Sequence, residues 1–128
     1  MNVLLDTCAF IWLAMPQGKL STAAIQVIND PGNRLFLSDV SQWEITLKHS
    51  SGKLPLPAMP RDWVPLQLQF HQVERWPLDL DAIYRSGELP RVHLDPFDRL
   101  LAAQAMEAGM TLLSPDTPLS LLGASRLW

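Results

Sequence analysis

The chain alternates short apolar runs with longer stretches in which apolar residues recur every three or four positions, the pattern of strands followed by helices. Asn2 to Asp6, built on Val3-Leu4-Leu5, reads as a buried strand, and Thr7 to Met15 as a helix that stops before Pro16-Gln17-Gly18. Ser21 is placed to cap a second helix through Ala24, Ile25, Val27 and Ile28, closed by Asp30-Pro31-Gly32, after which Leu35-Phe36-Leu37 makes a second strand. Two strand-to-helix passages in succession predict an α/β fold around a parallel sheet.

Further along, the spacing predicts a helix from Asp39 to Ser50 with Val40, Trp43 and Leu47 on its core face, while Glu44 and Lys48 fall one turn apart on a neighbouring stripe. Pro55, Pro57, Pro60 and Pro65 break the pattern into a loop followed by a short helix near Arg61 to Phe70. Val73 to Leu78 reads as an edge strand, and Asp81 to Ser86 as a short helix ended by Gly87. The clearest helix is Pro96 to Ala108. Asp95 is a good N-cap, Pro96 sits in the first turn where no amide bond is lost, and Gly109 provides the stop. Met110 to Leu113 is a buried strand, and Leu119 to Trp128 yields one helical turn and a last strand from Arg126. With 128 residues, 48% of them hydrophobic, and no repeat or composition shift, the expectation is one compact domain spanning residues 1–128.

Four acids interrupt this apolar pattern. Asp6 ends Val3-Leu4-Leu5, Glu44 lies within Trp43-Glu44-Ile45, Asp98 opens the helix that continues Leu100-Leu101-Ala102-Ala103, and Asp116 follows Leu112-Leu113-Ser114-Pro115. Ligands of open α/β sheets gather beyond the carboxyl ends of strands, so one rim has room for all four. If they converge, mutual repulsion raises some of their pKa values, and a hard, oxygen-ligated cation is needed to keep them ionised. Singly, each has an ordinary explanation. Asp95 and Asp98 favour a helix N-terminus, Asp116 suits a turn, and Glu44 pairs with Lys48. Asp6, between an apolar strand and an apolar helix, is the hardest to explain that way.

Composition narrows the classes. The single cysteine, Cys8, excludes an internal disulfide framework and a cysteine-rich zinc site and fits a reducing compartment. No apolar run reaches the roughly 18 residues of a membrane span, and the N-terminal run lacks a basic signal-peptide start, so the expectation is a cytoplasmic protein. The net charge of −3 argues against nucleic acid at first sight, yet the four acids account for more than all of it, so a metal-loaded site need not repel an anionic substrate.

The segments Leu4-Leu5-Asp6-Thr7 with Ile11-Trp12, Ser38-Asp39-Val40-Ser41-Gln42-Trp43-Glu44-Ile45 with Lys48 and Gly52-Lys53-Leu54, and His93-Leu94-Asp95-Pro96-Phe97-Asp98-Arg99-Leu100-Leu101-Ala102-Ala103-Gln104-Ala105 together resemble a PIN-domain ribonuclease of the VapC toxin type. The resemblance covers nearly the whole chain, and its last motif is the most specific. It implies a three-layer α/β/α sandwich with a mostly parallel central sheet, and an acidic pocket of Asp6, Glu44, Asp98 and Asp116 holding one or two Mg²⁺ or Mn²⁺ ions, with Asp95 and Ser114 as outer helpers. The family commonly shows Thr-x-Asp where this chain has Ser114-Pro115-Asp116, which keeps the hydroxyl and loses a backbone donor. It further implies an RNA substrate, a homodimer, and a cognate antitoxin whose tail occupies the pocket. Leu54 to Leu68 is a candidate contact surface for either protein partner, or equally a cover for the chain's own core.

In such a site the ions activate water and steady the scissile phosphate, with Asp6, Asp98 and Asp116 as ligands and Glu44 positioning a water or acting as base. Lys48, Arg99, Lys53, Arg91 and His93 are the candidate RNA contacts, Arg99 having a second candidate role in orienting Asp98, and each has ordinary surface charge as its alternative. The five tryptophans read as packing residues rather than base-stacking platforms, and Cys8 as a small buried hydrophobe rather than a nucleophile. Two other classes remain open: a degenerate PIN-fold binding module, and a phosphatase-like α/β protein, against which Asp6-Thr7-Cys8 lacks a second aspartate.

Overall fold

A computed structural model describes residues 1–128 and contains five strands and seven helices. In chain order these are β1 (Asn2–Leu5), α1 (Thr7–Ala14), α2 (Thr22–Asn29), β2 (Arg34–Ser38), α3 (Asp39–Ser50), α4 (Pro60–Phe70), β3 (Val73–Trp76), α5 (Leu80–Glu88), α6 (Pro96–Ala108), β4 (Thr111–Leu113), α7 (Pro118–Leu121) and β5 (Arg126–Leu127). The strands form one sheet in the order β3-β2-β1-β4-β5, every pairing parallel. From β1 the chain moves outward to β2 and β3, then returns to the other side of β1 for β4 and β5. The topological switch therefore lies between β1 and β4, where Leu5 is in register with Leu37 on one side and Leu113 on the other.

Alternation along the strands fills two cores. Val3 and Leu5 join Phe10, Leu35, Leu37, Trp63, Val64 and Leu113 on one face, and Leu4 joins Phe36, Leu101, Ala102, Leu112 and Leu119 on the other. Helices thus cover both faces of an all-parallel sheet, in keeping with the three-layer α/β/α sandwich expected.

Helix boundaries follow the caps. Ser21 accepts the Ala24 amide, Asp95 accepts the Asp98 amide, and Gly109 ends α6 in the left-handed region at φ 65°. Two expectations require correction. Gly87 does not end α5, which starts one residue earlier than expected and runs through Glu88. Nor do Trp43 and Leu47 lie in the core, being 53% and 44% exposed. The buried residues of α3 are Val40, Ser41 and Ile45. The cause is the path of α3, whose Val40 enters one core and whose Ile45 enters the other. A helix serving both layers does not show the single apolar stripe of a helix lying on one sheet face.

Candidate active site

The site begins where β1 and β4 end side by side. Asp6 caps α1, its Oδ1 accepting the Ala9 amide at 2.7 Å, while its own amide donates to the Leu113 carbonyl at 3.1 Å. Its Oδ2 accepts from Ser114 Oγ at 2.5 Å, and the same hydroxyl accepts the Asp116 amide at 3.0 Å. The donor that takes up this hydroxyl comes from the residue after Pro115, so the proline leaves no gap there. Asp6 is only 3% exposed. Burial pushes its carboxyl up to about 7, against the two hydrogen bonds, with the charges of Asp116 and Asp98 adding to the rise.

Asp98 stands in the first turn of α6, its amide held by Asp95 at 3.0 Å and its Oδ2 2.7 Å from His93 Nε2. Burial raises its pKa, opposed by His93 and assisted by the charges of Asp95 and Asp116. Asp95 is thereby the N-cap of α6. Arg99 belongs to neither phosphate nor Asp98, contrary to expectation. It is 8% exposed, and its guanidinium donates to the carbonyls of Ser86 (3.1 Å), Leu89 (2.8 Å), Pro90 (2.7 Å) and His93 (2.9 Å). Arg99 ties down the loop that carries His93, and His93, in place of Arg99, holds Asp98.

Glu44 accepts from Lys48 Nζ at 2.6 Å, an i,i+4 pair on α3, and this bond raises the Lys48 pKa. Two contacts bring α3 to the rest of the site. Thr7 Oγ1, next to Asp6, donates to Ser41 Oγ at 3.0 Å one turn before Glu44. Trp43 and Phe97, the residues immediately preceding Glu44 and Asp98, meet edge to face with centroids 5.0 Å apart. Neither contact carries a sequence signal beyond a hydroxyl or an aromatic ring in its stretch. Cys8, two residues after Asp6 on α1, is half-buried. Burial first, then the charges of Asp6, Asp116 and Glu44, push its thiol up to about 11, which leaves it inert as a nucleophile at neutral pH. Lys53, Arg91 and Asp116 are exposed.

The other tryptophans pack as expected: Trp63 is buried against Phe10, Trp76 meets Phe36, and Trp12 meets Trp128.

The family model of the PIN domain matches residues 3–123. The chain belongs to the PIN domain family. Its fold is similar to solved structures that include VapBC2 from Rickettsia felis bound to a promoter DNA fragment, with TM-score 0.72, 14% identity and coverage of 99% of this chain and 98% of that one. VapBC-1 from nontypeable Haemophilus influenzae matches with TM-score 0.69, 16% identity and coverage of 99% and 97%. VapBC-5 from Mycobacterium tuberculosis, described as a toxin–antitoxin system, matches with TM-score 0.60, 18% identity and coverage of 98% and 95%. No curated protein matches significantly.

The donors of this PIN domain suit a hard divalent cation. All four acids offer carboxylate oxygen, and such a cation offsets the burial that lifts Asp6 and Asp98 together with the smaller repulsion between the acids. As the side chains stand, no three of them close around a common point. Glu44 and Asp98 face Lys48 and His93, and Asp6 faces Ser114. No helix is long and apolar enough to cross a membrane.

Proposed function

We propose that this PIN domain is a metal-dependent endoribonuclease and the toxin of a toxin–antitoxin pair. The observation that carries the reading is Asp6. A cap for α1 needs only a neutral acceptor, and serine or asparagine would supply one without the strain of a buried carboxyl pushed up to about 7 beside two further acids. Ionised acid here is costly to the fold and useful to a cation.

Asp6, Asp98 and Asp116 would hold Mg²⁺ or Mn²⁺, which supplies an activated water and charge neutralisation at the phosphate. The chain's own residues do the positioning. Ser114 holds the Asp6 carboxylate, His93 occupies Asp98 in the metal-free protein, and Glu44 is the residue placed to orient water or accept its proton. Lys48, with Lys53 and Arg91, supplies positive charge for flanking phosphates. The complexes named among the similar structures support a cognate antitoxin as partner, and the homodimer that the family resemblance implies is the working form proposed with it. A phosphatase-like reading, the alternative with chemistry of its own, is disfavoured because Asp6-Thr7-Cys8 lacks a second aspartate, and the raised Cys8 thiol offers no nucleophile in its place.

Cleavage of RNA by the purified protein should require Mg²⁺ or Mn²⁺, and Asp6→Asn, which keeps the α1 cap, should lower it by about 10³-fold, the scale of losing a preorganised charged group. Mn²⁺ should also raise the melting temperature of the wild type and not that of Asp6→Asn. A wild type that binds RNA and never cleaves it, with either metal, would make the degenerate binding module the better reading.

A further inference from the structure

Two of the four acids are already paired with a basic side chain of the chain itself. Lys48 Nζ sits 2.6 Å from Glu44, and His93 Nε2 sits 2.7 Å from Asp98. We propose that Lys48 and His93 are placeholders that hold these carboxylates until a divalent cation displaces them, and that the freed donors then take the substrate's phosphate, so that metal and RNA bind cooperatively. This rests on the metal-dependent reading above and specifies how the site is loaded.

The two placeholders differ in how they can leave. The Lys48 side chain is 47% exposed while that of Glu44 is 13% exposed, so the ammonium can swing into solvent and leave the carboxylate in place. His93 is less free. Its side chain is 25% exposed and its carbonyl is pinned by Arg99 at 2.9 Å, so the ring can turn only about a fixed backbone. In both cases a lone pair that a cation would use is taken by an N–H donor of the type that binds phosphate oxygen. Displacing a donor costs metal affinity, and the cost is recovered when the released donor finds a phosphate, which makes the coupling reciprocal.

The probes are Mn²⁺, followed by the electron paramagnetic resonance of the free ion, and a phosphorothioate RNA hexamer, applied to the full chain. Lys48→Met and His93→Ala, each checked for its native circular dichroism, should bind Mn²⁺ alone about tenfold more tightly than wild type. The hexamer should tighten Mn²⁺ binding to wild type by a similar factor and should tighten it little in Lys48→Met. Mn²⁺ affinity in both variants equal to or weaker than wild type would overturn the proposal, because the two residues would then be supports for the ligands. A wild type that binds the hexamer and no Mn²⁺ at all would instead overturn the metal-dependent reading itself, and the placeholder role with it.

Discussion

The carboxylate at the strand end and those on the helices are built differently. Asp6 is held by the sheet: its amide is bonded to the Leu113 carbonyl, one carboxylate oxygen caps a helix, the other meets Ser114, and almost none of it reaches solvent. Glu44 and Asp98 project from α3 and α6, and each is satisfied by a partner from its own stretch of chain, Lys48 four residues on and His93 five residues back. The strand-end position fixes direction at the expense of a strained charge. The helix positions pair their carboxylates with a nearby basic side chain and keep their geometry adjustable. A site assembled from both has a rigid anchor and movable arms.

The largest expected effect tests the strain at the anchor. The Asp6 carboxyl rises from 3.8 to about 7 on folding, so the folded state favours the proton more than the unfolded chain does. Its contribution is therefore fully present below about pH 4, falls as the pH rises toward 7, and is gone above that. The metal-free protein should lose on the order of 4 kcal/mol across this window through Asp6 alone. Urea unfolding at about pH 4 and pH 8 should show the loss in wild type and a much smaller one in Asp6→Asn. Equal slopes in the two proteins would mean that Asp6 carries no strain.

Next in size is Arg99, which makes the α6 arm stiffer than the α3 arm. Arg99→Met strands the carbonyls of Ser86, Leu89, Pro90 and His93 beside a buried side chain and should destabilise the protein by about 3 kcal/mol, read as a melting temperature lower by roughly 10 °C. A loss below about 1 kcal/mol would show that water takes over those carbonyls and that the loop needs no clamp.

Arg99 also marks the limit of what the sequence discloses. The termini of α6 were legible because their signals are local: Asp95 bonds to an amide three residues away, and Gly109 adopts the left-handed turn after the helix. The place of Asp6 at the carboxyl end of β1 was legible as charge beside an apolar run. The face that α3 buries was not, because it depends on a helix shared between two cores, which no single period encodes. Arg99 beside Asp98 reads as an ion pair until the loop from Ser86 to His93 folds back over it. Pairings such as Thr7 with Ser41, or the buried Ser38 hydroxyl with Gln104, join residues far apart in the chain and leave no local trace.

A smaller effect comes from the hydroxyl that joins the two strand ends. Ser114→Ala removes the Asp6 partner and the acceptor of the Asp116 amide together, and should cost about 1–2 kcal/mol by chemical denaturation. Because the Ser114 bond lowers the Asp6 pKa, its loss should also steepen the decline in stability between pH 5 and 8. Ser114→Thr should restore both. A parallel loss in stability at every pH would leave Ser114 a packing residue with no hold on the charge.

The smallest effect is the one that separates anchor from arm most sharply. Lys48 pairs with Glu44 across one helical turn, but its side chain is half exposed, so solvent screens the pair and conformational freedom offsets it. Lys48→Met should therefore shift stability by only about 0.3–0.5 kcal/mol, near the limit of an unfolding measurement. Glu44 keeps its backbone in α3 whichever partner it has, since Val40 and Ile45 root the helix in both cores. The bond is short and yet cheap to break, as an arm that exchanges partners requires. If Lys48→Met instead cost as much as Arg99→Met, the α3 arm would be as fixed as the strand ends, and the contrast between the two halves of the site would vanish.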